Sequence, residues 1–386
     1  MKKYTSIEML DKLVGFDTTS SKSNMELIDF IENYLASYGV KSTLVRDSHE
    51  NKANLYAIIG PEDISGIMLS GHTDVVPVEG QNWDTEPFQM TKKGDKLYGR
   101  GTCDMKGFIA CVLAKIPEFI DAELKEPITL AFSYDEETGC TGVHGLVEMV
   151  NDLKVKPRAC IVGEPTSMKV VNSHKGIRHL LTKVYGHENH SSTDKGVNAI
   201  NYAAEIVTYI DNLQDEMRRR PPQVEGFEPP YATVHVGRIQ GGHAANITPN
   251  YCEIEWDYRP FPGSDEDEVY NLYQAFIENT ILPKMRERSS KYGDVKTEYL
   301  AKVPCLFPET GSTAEALAKH LAQQNSVHVV SYGTEAGIFH QKASIPAVVC
   351  GPGSILQAHK ANEYIDISEM AACDKFLNKL LEVVKK

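Results

Sequence analysis

Five short stretches of this 386-residue sequence gather residue types that hold metal ions and move protons. They are Gly71-His72-Thr73-Asp74, Arg100-Gly101-Thr102-Cys103-Asp104-Met105-Lys106-Gly107, Ser133-Tyr134-Asp135-Glu136-Glu137-Thr138-Gly139, Gly163-Glu164-Pro165-Thr166 and Gln357-Ala358-His359-Lys360. Taken singly, each has an ordinary explanation: a hydrogen-bonded His–Asp pair, a helix cap at Asp104, a solvated run of three carboxylates. Together they supply two imidazoles and three carboxylates, the donors of two borderline divalent ions sharing one bridge, and one more carboxylate to serve as a base. On a strand, His72 and Asp74 point the same way, so the carboxylate can fix the tautomer and orientation of the imidazole. Asp104 lies in a glycine-flanked turn that leads into a helix, with its carboxylate free to bridge two cations. The run Asp135-Glu136-Glu137 follows an apolar segment, where nearby cations would relieve its self-repulsion. Neighbours on an extended backbone face opposite sides, which gives Glu136 and Glu137 separate tasks.

These residues need strands and turns to bring them together. Segments 54–60, 66–74, 128–135 and 159–164 are short and apolar or β-branched, the pattern of strands buried on both faces, and 106–119 reads as a helix between the second and third. The polar residues gather where the strands end, the place at which open α/β sheets bind ligands. Ser23 and Glu26 form a capping box before Leu27, Ile31 and Leu35, and Gly39 marks the helix stop. After Gly176 the texture changes to a smaller α+β pattern: strands at 177–186, 232–241 and 251–260, helices at 196–213 and from Ser264, and a Pro-rich loop at 221–230. From about Lys291 the first pattern resumes, with strands at 327–332 and 345–350 and a closing helix at 368–384. The expected organisation is an α/β domain over 1–176 and 288–386, a mixed sheet flanked by helices, with a second domain inserted at 177–287. Gly176 and the region near Pro283 are the expected hinges.

Composition narrows the function classes. With 41% hydrophobic and 24% charged residues the chain reads as globular, and no apolar stretch reaches the length that crosses a bilayer. A formal charge of −13 argues against a nucleic-acid partner, the one basic knot being Arg218 to Arg220. The opening MKKYTSIEMLDKLV lacks an apolar leader segment, and the eight cysteines are scattered without a CxxC pair, so the expected compartment is the cytoplasm.

The ordered set GHTDVVP, GRGTCDMKG, YDEETG, GEPT and AHKANE resembles the M20 family of zinc peptidases and deacylases, from about residue 5 to the C-terminus. The segments NITPNYCEIEWDYRPFPG, YGTEAG and CGPGSILQAHKANEYI are most similar to its deacylases of N-acylated amino acids. The resemblance implies a zinc-exopeptidase-like catalytic domain with an inserted dimerisation and lid domain. It also implies an amidohydrolase with two zinc ions per subunit, which cobalt or manganese can replace, acting on a small-molecule N-acyl amino acid. His72 and Glu164 would hold one ion, Glu137 and His359 the other, and Asp104 would bridge both. Asp74 would orient His72, and Glu136 would be the general base. His190, rather than His187, would reach the oxyanion from the partner subunit of a homodimer formed through the inserted domain. Asn246 and Arg259 would hold the substrate's α-carboxylate. Thr334 and Glu335 would complete the substrate pocket, with Glu335 selecting a cationic group.

Overall fold

Short β-branched runs become strands where both faces can be covered. In a computed structural model of the chain, which describes residues 3–220, 224–309 and 311–386, four such runs form the parallel centre of an eight-stranded sheet. In spatial order they are Ile128–Ser133, Ile67–His72, Ala159–Pro165 and Ala347–Gly351, and every residue in them is buried. Ser42–Arg46 and Ala53–Ile59 extend one edge in antiparallel fashion, and Val171–His174 and His328–Val330 complete the other. Because the central strands are parallel, their carboxyl ends open on one side, and His72, Glu136, Glu137, Glu164 and His359 all lie at or just after such an end.

The helix Lys106–Asp121 begins two residues after Asp104. Its Phe108, Ile109, Val112, Leu113, Ile116 and Phe119 are fully buried, each contributing about 1.5–3 kcal/mol of burial. A Cβ at Gly163 would lie 2.0 Å from Cγ of Phe108, so the strand that carries Glu164 needs a glycine to admit this helix. The helix Met25–Ser37 is capped differently from expectation. Asn24 is the N-cap residue, and its side chain donates inward to the carbonyl of Ala53 and to Thr73 Oγ1, both at 2.9 Å. These buried bonds take precedence over a Ser23–Glu26 box, and Ser23 Oγ accepts the Met25 amide and donates to the carbonyl of Asn51. Gly39, at φ +77°, ends the helix as the sequence predicts.

The chain divides into two units. The first holds residues up to Ser173, then Pro308–Val329 and Thr334–Lys386. The second holds His174–Phe307 and Val330–Gly333. The second unit is a four-stranded antiparallel sheet in the order Thr233–Gly241, Tyr251–Arg259, Ile177–Tyr185, Asp294–Val303. Leu180, Ile206, Ile254, Trp256, Tyr273 and Ile281 are among its core residues, drawn from the sheet and from helices that include Ala199–Arg218 and Glu268–Phe276.

The boundary expected at 287/288 moves to about 307, because Asp294–Val303 pairs with Ile177–Tyr185 along its whole length. Pro283 lies inside the helix Leu282–Arg288 of the second unit and marks no boundary. Of the Pro-rich segment, residues 221–223 lie outside the described residues, and 224–230 contain neither helix nor strand. Among the described residues no helix is long and apolar enough to cross a membrane.

Candidate active site and metal centre

His72 closes its strand with 1% exposure, and its Nε2 lies 3.1 Å from Asp104 Oδ1 and 3.7 Å from Glu164 Oε1. His359, on the loop after Ala347–Gly351, places Nε2 2.9 Å from Glu137 Oε2 and 3.4 Å from Asp104 Oδ2. The two oxygens of Asp104 therefore face different imidazoles. Donor atoms of His72, Glu136 and Glu164 lie within 4.8 Å of one another, as do those of His72, Asp104 and Glu137. Residues up to 287 positions apart in sequence thus meet in one cluster, and it contains every residue predicted as a metal ligand together with Glu136.

The loops that bring them there are held by polar contacts. Asp74 meets His72 mainly through its backbone: Nδ1 of the imidazole is 3.0 Å from the Asp74 carbonyl and 3.5 Å from the carboxylate. The strand stops at His72, so the period-two alignment does not extend to Asp74. The Asp74 carboxylate instead accepts the amides of Glu136 and Glu137, at 3.1 and 3.3 Å, and the Ser20 hydroxyl at 2.7 Å. Glu136 and Glu137 lie in a turn rather than on extended backbone, and Asp135, at φ +55°, opens it. Lys52 Nζ stabilises that left-handed residue with bonds of 2.6 and 2.7 Å to its carboxylate. Sequence reading missed Ser20 and Lys52. Both are ordinary loop residues whose partners lie more than 50 positions away, and no local pattern marks them.

The charge balance of this cluster calls for cations. Burial, joined by repulsion from neighbouring carboxylates, pushes Glu136 up to about 8 and Glu137 up to about 7, and raises Glu164 well above the usual range. Hydrogen bonds to Asp104 and Glu137 push His359 up to about 10. Burial works against protonation of His72, but the negative charge of Glu164, Asp104 and Asp74 outweighs it and raises this imidazole too. Asp104 is held low against its burial by the two imidazoles. Protons here do what a divalent ion would do better. The mixed imidazole and carboxylate donors suit zinc, cobalt or manganese, so the residues fit a metal centre.

The remaining predicted residues divide by unit. His190 is exposed in the second unit, where its Nδ1 bonds to Ser192 Oγ at 2.7 Å and its backbone bridges to Ile247, beside the exposed Asn246. His187 is engaged in stacking on Tyr292 at 3.8 Å. Arg259 ends its strand half-buried, with Nε 2.8 Å from Asp257 Oδ2. A cleft of about 760 Å³ opens near this loop, lined by Ser191, His243, Ile247 and Arg288 among others, and it contains no comparable cluster of carboxylates. In the first unit, Thr334 caps its own helix by accepting the Ala336 amide. Glu335, 1% exposed, accepts from Ser70 Oγ at 3.4 Å and lies beside the Ser133 hydroxyl, which tempers the rise that burial imposes on its carboxyl. Both side chains are buried, and Glu335 lies within electrostatic reach of His72 and Asp74.

Against known proteins, the profile of peptidase family M20/M25/M40 matches residues 68–383. The acetylornithine deacetylase of Pasteurella multocida (strain Pm70) is 32% identical over 99% of this chain and 98% of its own. A solved M20 family metallo-carboxypeptidase, Sso-CP2 from Sulfolobus solfataricus, superposes with a TM-score of 0.75 at 20% identity, covering 98% of this chain and 99% of that one. The YXEP protein of Bacillus subtilis, described as a dinuclear metal-binding peptidase of the M20 family, does so with a TM-score of 0.65 at 16% identity, covering 98% and 97%.

Proposed function

The chain belongs to peptidase family M20/M25/M40, whose members include metallopeptidases and amidohydrolases, and from that membership we propose that it removes the acetyl group of N2-acetyl-L-ornithine, giving L-ornithine and acetate. The observation that carries this substrate is the likeness to acetylornithine deacetylase along 99% of the chain. The reading assigns the protein to arginine biosynthesis in the cytoplasm.

The proposed cofactors are two zinc ions, which cobalt or manganese can replace. His72 and Glu164 would hold one and Glu137 and His359 the other, with Asp104 between them; the split of the Asp104 oxygens between the two imidazoles supports this assignment. When bound, such a pair supplies an acidified water and a Lewis acid for the amide carbonyl. Glu136 accepts a proton from the attacking water and delivers it to the amide nitrogen as the C–N bond breaks, so the amine departs neutral. Asp74 keeps Glu136 and Glu137 in register by accepting both of their amides. Arg259 and Asn246 take the substrate's α-carboxylate, for which a guanidinium offers a two-pronged match. His190, from the partner subunit of a homodimer built through the second unit, donates a hydrogen bond to the oxyanion.

The test is steady-state hydrolysis of N-acetyl-L-ornithine and of N-succinyl-diaminopimelate by metal-depleted protein, with and without zinc. Zinc-dependent turnover of the acetylated compound is expected. Preference for the succinylated one would leave the metal centre standing and overturn the substrate, and activity indifferent to metal would overturn the centre.

A further inference from the structure

The turn that carries Asp104 is gripped by one carboxylate from the far end of the chain. Glu363, 1% exposed, accepts the amides of Cys103 and Asp104 on Oε1, at 2.9 and 3.0 Å. Its Oε2 accepts the amide of Gly101 at 3.0 Å and Nη1 of Arg100 at 2.7 Å. Arg100 is itself 1% exposed, and its Nη2 bonds to Gln81 Oε1 at 2.6 Å, while Gln81 Nε2 donates to the carbonyl of His359 at 3.2 Å. Glu363 lies four residues after His359 in the AHKANE motif, so the Asp104 turn and the His359 loop are tied both along the chain and through Arg100 and Gln81. Four donors fill every acceptor site of this one buried carboxylate, two on each oxygen. Three of them are backbone amides of a single turn, and the last is the amide of Asp104 itself.

We propose that Glu363 is a positioning residue that fixes Asp104 so its two oxygens stay aimed at His72 and His359, and thereby sets the affinity of the centre for its two ions. The proposal rests on the two-metal reading above. A glutamine at position 363 would turn one acceptor into a donor facing donors, releasing either the Cys103–Asp104 amides or the Arg100–Gly101 pair. An aspartate would keep the charge, and with it the partner of Arg100, but would be one methylene too short to reach both sides.

The experiment uses the full-length protein loaded with cobalt, comparing wild type, Glu363→Gln and Glu363→Asp. Affinity and stoichiometry are read by competition with a chelator, coordination by the visible spectrum, and turnover by kcat and KM. Glu363→Gln is expected to bind at least one ion 10–100-fold more weakly, with an altered spectrum and a kcat loss that exceeds any change in KM. Glu363→Asp should show a smaller loss of the same kind, and it decides the matter if the glutamine variant does not fold. A folded variant with two ions bound at wild-type affinity and an unchanged spectrum would overturn the proposal, even if its melting temperature fell. Wild-type protein that takes up no second ion would overturn the two-metal reading, and the proposal with it.

Discussion

Glu136 has two possible identities at the atomic level, and they make different predictions. Its donor oxygen lies within 4.8 Å of those of His72 and Glu164, close enough for a ligand, while a base needs only to stand beside one. As a base, Glu136→Gln should lower kcat by about 10²–10⁴-fold, with bound metal and KM nearly unchanged, as steady-state kinetics and metal analysis on one preparation can measure. A parallel loss of metal would make it a ligand. Asp74 works at one remove: its carboxylate serves two amides and a hydroxyl, all of them donors. Asp74→Asn sets an NH₂ group against one of these. It should cost about 1–3 kcal/mol of stability and about 10–100-fold in metal affinity or turnover, in denaturant titrations and activity assays respectively. A variant with native stability and native kinetics would show that the turn at Glu136 and Glu137 holds itself.

At the level of elements, what the sequence revealed depended on whether a residue's role is written into its neighbours. The four central strands and the helix after Asp104 are apolar runs bounded by turns, and their observed limits, such as Ile128–Ser133 and Lys106–Asp121, fall within a few residues of those read from the pattern. Asp294–Val303 escaped assignment to the second unit, because half of it is exposed and its partner, Ile177–Tyr185, lies more than 100 residues away. The same blindness covers Lys52 and Ser20, and it concealed that Asn24 is engaged by Ala53 and Thr73. The candidate metal ligands were legible because the chemistry restricts their types; their supports were not, since any buried acceptor can serve a backbone amide. Two consequences can be measured. A fragment spanning 174–307 should unfold cooperatively on its own, whereas 177–287, deprived of its fourth strand, should not, as circular dichroism during thermal melting would reveal. Gly163→Ala, which forces a Cβ to within 2.0 Å of Phe108, should destabilise the first unit by about 1–3 kcal/mol. Equal urea midpoints for the variant and the parent would mean that the helix simply moves away.

For the whole molecule, the crowded site ties stability to pH in a direction that can be worked out group by group. Glu136, Glu137 and Glu164 all have folded-state values raised above those of the free side chain, the first two to about 8 and 7. A raised group contributes stability that is complete below its unfolded value and is lost as pH climbs through the folded one. His359, raised to about 10, runs the same way from about pH 6.5 upward. Asp74 and Asp104 are depressed, so their contribution is lost only in acid and stays constant above pH 6. Lys106 and Lys175, which burial lowers to about 7 and about 8, run the opposite way, but they are outnumbered by the raised carboxyls and imidazole, so metal-free protein should melt at progressively lower temperature from pH 6 to pH 9. The net charge of −13 would tilt the curve the same way, but that effect is long-range and screened by salt, whereas the buried cluster is not. Zinc distinguishes the two further: its ligands must be deprotonated to bind, so the rise in melting temperature on adding metal should grow with pH. Scanning fluorimetry at pH 6, 7, 8 and 9 in 0.5 M salt, with chelator or with zinc, tests both slopes together. A chelated protein whose melting temperature stays level across that range would mean that the carboxylates do not repel one another as their spacing implies, and the case for two cations would lose its electrostatic basis.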